Sequence, residues 1–237
     1  MSVATINRAV DGFSYSVKRV RIQPERRNDD EAIEARISYA KSFLELVSTV
    51  PAQSILFIDE VGFNISMRTR LGRSLRGTRA VQVVPSLRSR NISICCAMNN
   101  HQIVYYCAQT KPYNKELFCE FLGLLFEMLR LRGIEHTVLV MDNVPFHKCS
   151  NVQVLIEKNG NRVIFLPPYS PFLNPIENMF SKWKECVRSE RPADEDHLMS
   201  LIEDGAELIT SEDCAGFYRN MMSCIERCAE GQPIEDV

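Results

Sequence analysis

The chain has 237 residues, 45% of them apolar and 24% charged. That composition fits a globular protein with one fair-sized core. It excludes a membrane-spanning chain, because no run nears the roughly 18 apolar residues that a span needs. The opening MSVATINRAVDGFSYSVKRVR has no apolar h-region, so no signal peptide is expected. The nine cysteines are scattered without CxxC spacing, which reads as reduced thiols of an intracellular protein rather than zinc ligands or disulfides. The net charge of −2 hides a division. Residues 189–237 carry a net −10 and residues 1–188 a net +8. The basic part suits a polyanion partner, and the acidic end suits solubility or self-masking.

In chain order, residues 4–11 read as a short helix, followed by a basic connector with Lys18, Arg19, Arg21, Arg26 and Arg27. Residues 30–48 place Ile33, Ile37, Ala40, Phe43, Leu44 and Val47 at helical spacing, with Asn28 or Asp29 as cap. SILFIDE, from Ser54, is a buried strand ending at its acids. NISICCAMNN and HQIVYYCAQ form a hairpin turning at Asn99-Asn100. Residues 114–132 are an amphipathic helix, with a core stripe of Leu117, Phe121, Leu124, Leu125, Met128 and Leu129. TVLVMDN is another buried strand, NVQVLIEKNG a helix stopped by Gly160, and RVIFL a third buried strand. Helices follow at 175–189, 194–209 and 211–229. This order implies a mixed α/β fold.

Three acids stand at element ends. Asp59 closes the first strand, Asp142 follows VLVM, and Glu177 opens the helix after FLPPYSPFLNP. If the strands are parallel neighbours, their carboxyl ends share one edge of the sheet, where such folds place sites. Carboxylates gathered there repel and call for a hard cation, Mg²⁺ or Mn²⁺. Two such ions can activate an attacking oxygen and stabilise a leaving one on phosphorus. Each acid also has a plainer account. The aspartates fit strand-end turns, and Glu177 fits a capping arrangement with Asn174 as N-cap and Pro175 at N1. Ile176, Met179, Phe180, Trp183 and Val187 form the buried stripe of that helix, with Glu177 beside it and Lys184 two turns on.

FIDE, MDN followed by PFH, and LPPYSPFLNPIEN together resemble the catalytic domain of mariner-type transposases, a branch of the ribonuclease H-like nucleases and integrases. The similarity spans residues 5–190, and 34 residues separate Asp142 from Glu177, as in that family. The resemblance implies a ribonuclease H-like mixed sheet flanked by helices. It divides the chain into a helix-turn-helix remnant with basic linker and connecting helix (1–50), a catalytic domain (51–190) and an acidic helical extension (191–237). It makes Asp59, Asp142 and Glu177 the ligands of two Mg²⁺ or Mn²⁺ ions, supported by Asn143 and His147. Outside the family, those two residues read as a turn amide and a surface imidazole. The implied chemistry is water attacking a DNA phosphodiester, then a freed 3′-hydroxyl attacking target DNA. The implied partners are transposon-end and target DNA and a second copy of the chain, in the nucleus of a eukaryote or otherwise in the cytoplasm.

Two departures from the family stand out. Phe180 occupies the place of a family tryptophan. Only the last helix of the second DNA-reading unit remains, so sequence-specific binding by this chain alone is not expected. A truncated copy fits that, and so does an inactive or host-adapted remnant that binds DNA or protein. Between the first two strands, Arg68, Arg70, Arg73, Arg76, Arg79, Arg88 and Arg90 come without a single acid. With Lys18, Arg19, Arg21 and Lys184 they are the expected phosphate contacts, weakening steeply with salt. A solvated loop is the plain alternative.

Overall fold

The computed structural model describes residues 24–67, 74–79, 81 and 90–235. The expected helix at 4–11 and Lys18, Arg19, Arg21, Arg68, Arg70, Arg73 and Arg88 lie outside these residues. Among the described residues, six α-helices pack on one five-stranded sheet. Helix α1 (Asp30–Thr49) starts where the Asp29 carboxylate accepts the Ala32 N–H at 2.8 Å, the cap expected from the sequence. Strands β1 (Ile55–Phe63), β2 (Ile92–Met98) and β3 (Ile103–Gln109) form an antiparallel meander. The hairpin turns where Asn99 Oδ1 accepts the N–H groups of His101 and Gln102. Helix α2 (Lys115–Leu131), strand β4 (Val138–Met141), helix α3 (Ser150–Lys158) and strand β5 (Arg162–Phe165) follow. Helices α4 (Pro175–Ser189), α5 (Glu195–Glu207) and α6 (Ser211–Ala229) complete the chain.

The strand order is β3-β2-β1-β4-β5, with β1, β4 and β5 parallel. Strand alternation divides the core into two layers. Phe57, Cys96 and Val140 face α1, α4, α5 and α6. Leu56, Ile58, Cys95 and Met141 face α2 and α3. On α2 the buried face is Phe118, Phe121, Leu122, Leu125, Phe126 and Leu129, while Leu124 is 48% exposed and Leu117 only half-buried. The expected stripe was rotated. This helix is apolar around most of its girth, so the sheet, not the helical period, selects the face that is covered.

The stripe of α4 is buried as expected, with Trp183 at its centre. Its Nε1 donates to the Ile202 carbonyl at 2.9 Å, and Gly205 leaves room for the ring, since a Cβ there would stand 2.9 Å from Trp183 Cδ1. The acidic end of the chain is partly spent on helix starts. Asp194 caps α5, and Thr210 with Asp213 makes a capping box on α6, while Asp213 also pairs with Lys182. Buried side chains of α5 and α6 share one cluster with the sheet. No helix among the described residues is long and apolar enough to cross a membrane.

Candidate active site

The last parallel rung between β1 and β4 pairs Ile58 with Met141. Asp59 and Asp142 are the next residues on each side. Asp59 does not end its strand, contrary to the sequence reading. β1 continues to Phe63 because β2 stays paired with it, Asp59 opposite Cys96 and Phe63 opposite Ile92. Asp142 does leave its strand. On the far side of β4, the Leu166 N–H bonds the Met141 carbonyl at 2.9 Å, and the chain then enters the proline track. Ser170 Oγ bonds the Pro168 carbonyl at 2.9 Å, and Tyr169 takes a left-handed backbone (φ 56°). A short 3₁₀ turn at Pro171–Leu173 then delivers Asn174 and the first turn of α4.

Asn174 does not cap α4 with its side chain. Its Nδ2 instead donates to Asp59 Oδ2 at 3.0 Å, across 115 residues of sequence. Its Oδ1 is buried without a hydrogen-bond partner. The plain capping account of Glu177 therefore fails: the helix start makes only the backbone bond from Glu177 N–H to the Asn174 carbonyl at 3.2 Å. Asp59 Oδ1 accepts the Glu60 N–H at 2.8 Å. Asp59, Asp142, Asn143, Asn174 and Glu177 line one cleft of about 220 Å³ at this edge of the sheet. Larger clefts of about 570 and 530 Å³ around Ile134 and Glu135, and one of about 460 Å³ between Tyr106 and Ala206, contain none of these residues.

The cleft carries excess negative charge. Burial, then repulsion from Glu177, raises the Asp59 pKa from 3.8 to about 8; Glu60 and Asp142 add to the shift. Glu177, on the exposed rim, is raised by partial desolvation; Lys184 opposes this and Asp142 adds to it. Burial pushes Asp142 up, but the bond and charge of His147, the Val144 N–H and Lys148 outweigh it, and its pKa falls below 3.8. His147 is fully buried, not a surface imidazole. Burial pulls its pKa down, yet Asp142 and Glu60 together carry it from 6.5 up to about 9.

These shifts fix a pH dependence. Asp59 and His147 both hold their protons more tightly in the folded chain. Asp59's contribution to stability is complete below pH 3.8 and lost as the pH rises through about 8. His147's is complete below 6.5 and lost as the pH rises through about 9. Asp142 acts oppositely, and only on acidification through its lowered value. In chelator-treated protein, Tm is expected to fall as the pH is raised across this window, and Asp59→Asn is expected to flatten the part below about 8. A parent Tm that stays level there, measured by calorimetry, contradicts this account.

The donor set fits a hard cation. Three carboxylates share the cleft, two of them, Asp59 and Glu177, raised by burial and by their neighbours' negative charge, and the buried amide of Asn174 lines it with them. Among the described residues, however, no group of three or more His, Cys, Asp or Glu stands close enough to hold an ion as it is. The sequence reading thus brought Asp59, Asp142, Asn143 and Glu177 to one cleft, with His147 beneath and Lys184 acting on Glu177. Arg76, Arg79 and Arg90 are exposed, and the Arg90 N–H meets Glu195 Oε1 at 3.3 Å, at the start of α5. Sequence reasoning missed Glu60 and Asn174. Their one signal was adjacency, to Asp59 and to Pro175.

Comparison with known proteins agrees with this architecture. No curated protein matches the chain in sequence. A Mos1 mariner paired-end complex with Mn has a TM-score of 0.83 at 16% identity, covering 100% of this chain and 72% of that one. A Mos1 transposase paired-end complex with left transposon end has a TM-score of 0.80 at 16% identity, covering 97% and 70%. The catalytic domain of Mos1 mariner transposase has a TM-score of 0.70 at 15% identity, covering 91% and 100%. At these identities the likeness shows the fold, which is the ribonuclease H-like one expected from the sequence. Residues 54–199 match the DDE superfamily endonuclease family, well over half of the chain. The chain therefore belongs to the DDE superfamily endonuclease family.

Proposed function

We propose that the chain is the catalytic domain of a mariner-like DNA transposase that cuts DNA and transfers the cut strand. The observation that carries this reading is the meeting of Asp59, Asp142 and Glu177 in one cleft just beyond the last parallel rung. Solved Mos1 complexes contain Mn, Mg or a transposon end, which supports divalent metal and DNA as ligands here. Asp59, Asp142 and Glu177 are the residues that would hold two Mg²⁺ or Mn²⁺ ions. When bound, such ions supply an activated attacking oxygen and a stabilised leaving oxygen. The chain's own contribution is positioning. Asn174 and the Glu60 N–H hold Asp59, His147 holds Asp142, and the proline track sets Glu177 at the rim. Phosphoryl transfer needs no covalent protein intermediate, so no serine or cysteine nucleophile is required.

The Arg-rich segment 68–90, the connector basics Lys18, Arg19 and Arg21, and Lys184 are assigned to DNA phosphates. A second copy of the chain is assigned as partner. Residues 51–190 form the catalytic unit in this reading, between the linker region and the acidic extension. The chain acts where DNA is, in the nucleus of a eukaryote or the cytoplasm otherwise. A second reading, an inactive or host-adapted remnant that binds DNA or protein, is favoured by one observation: the acids are not drawn close enough to hold an ion as they stand.

Metal titration separates the two. At about 100 times its Kd, Mn²⁺ stabilises a chain that binds it only when folded by about 2.7 kcal/mol. The catalytic reading expects a saturable rise in Tm with Mn²⁺, and Mn²⁺-dependent cutting of duplex carrying the element's terminal repeat. A Tm that ignores millimolar Mn²⁺, with no cutting, selects the remnant.

A further inference from the structure

Glu60 follows Asp59 on β1, so the alternation of the strand sends it to the opposite face. Asp59 faces the α4 side, where Asn174 meets it. Glu60 faces the α2 side, where it meets His147. That ring is buried between Phe118 and Phe146, each with its centroid 4.4 Å away. His147 Nδ1 stands 2.7 Å from Asp142 Oδ1, and Nε2 stands 3.1 Å from Glu60 Oε1. An ionised carboxylate only accepts, so both ring nitrogens donate. The Cys95 thiol donates to the same Glu60 oxygen at 3.6 Å. The result is a line, Cys95–Glu60–His147–Asp142, running from the middle of β1 and β2 to the end of β4.

A histidine that only filled the core would need no pair of carboxylates drawn from segments far apart in sequence. Asp142 Oδ1 is committed, taking His147 and, at 3.3 Å, the Val144 N–H. The other oxygen of Asp142 is left for the cleft. We propose that Glu60 is a positioning residue: through the buried His147 ring it fixes the orientation of Asp142, holding one oxygen and presenting the other to the cleft. This rests on the assignment of Asp142 as a metal ligand. Groups that orient a ligand in this way govern metal affinity without touching the ion.

The test uses the full chain without DNA. Mn²⁺ affinity is measured by calorimetry for the parent, Glu60→Ala, Glu60→Gln, His147→Ala and Glu60→Ala/His147→Ala. Glu60→Ala is expected to weaken binding about 10- to 100-fold. Glu60→Gln keeps an oxygen acceptor for Nε2–H and is expected to stay close to the parent. Glu60→Ala/His147→Ala is expected to fall no further than the worse of the two single changes, because both act through one line. Parent-like affinity in Glu60→Ala overturns the proposal. So does a Glu60→Gln affinity as weak as that of Glu60→Ala, which would assign the effect to charge rather than orientation.

A second readout is independent of metal. In chelator-treated protein, NMR of the histidine ring N–H groups is expected to show the His147 Nε2 proton protected from exchange in the parent and unprotected in Glu60→Ala. If the parent shows no Mn²⁺ binding, the metal reading fails, and this measurement still decides the clamp. Unchanged His147 ring signals in Glu60→Ala overturn it.

Discussion

Asp142→Ala is expected to lower Mn²⁺-dependent cleavage of terminal-repeat duplex by roughly 10³-fold or more, with the fold intact. The magnitude follows from losing several kcal/mol of charge stabilisation at the reacting phosphate. The fold should survive because Asp142 lies beyond the β4 ladder and its side chain is 40% exposed. Its removal leaves the buried His147 bonded to Glu60 on one side and unpaired on the other, a cost of about 1–3 kcal/mol that lowers Tm without unfolding the chain. Circular dichroism and thermal melting check the fold, and a gel assay on labelled duplex checks the cut. A variant that cuts as fast as the parent removes Asp142 from the chemistry, and with it the three-acid site.

The largest expected loss of stability is elsewhere. Trp183→Ala is expected to cost about 3–5 kcal/mol, the range for deleting a buried large aromatic. Trp183 is fully buried, with its ring 5.5 Å from Phe63, 5.2 Å from Tyr106 and 6.5 Å from Phe180. Its removal also takes the indole donor from the Ile202 carbonyl of α5. Domains of ordinary stability have about 5–15 kcal/mol to lose, so a Tm decrease of roughly 10 °C is expected. Trp183→Phe should fall between, keeping most of the apolar area but not the hydrogen bond. Urea or thermal melts settle the order. If Trp183→Ala melts with the parent, the seam between β1, α4 and α5 is not the packing centre described above.

The elements were legible where local pattern decides them. VLVM is apolar throughout and buried because helices cover both faces of the sheet there, whereas RVIF, also expected to be buried, opens on exposed Arg162 and is only half-buried because it is the edge strand. The α1 cap at Asp29 and the buried stripe of α4 could be read from spacing alone. The three acids could be read because each follows an apolar run and the proline phrase is long. What depended on distant pairing could not be read. Asp59 is interior to its strand only because β2 continues alongside it. Asn174 looks like a cap in sequence, but its amide finds Asp59 instead. Arg36 sits on the buried face of α1, where its guanidinium meets the Arg27 carbonyl at 2.5 Å and Asn28 Oδ1 at 2.9 Å and lies 5.9 Å from the Phe172 ring centre. Helical spacing gives no hint of such partners.

The continued pairing of β1 past Asp59 has a mechanical consequence. A residue laddered to β2 on both sides of itself cannot shift along or out of its strand without breaking several rungs together. Glu177 is held differently: its backbone lies in the first turn of α4 between buried Ile176 and the rest of the helix, and its exposed side chain has two methylenes that can rotate. Any adjustment that brings the acids closer together would fall on the Glu177 side chain rather than on the backbone of Asp59.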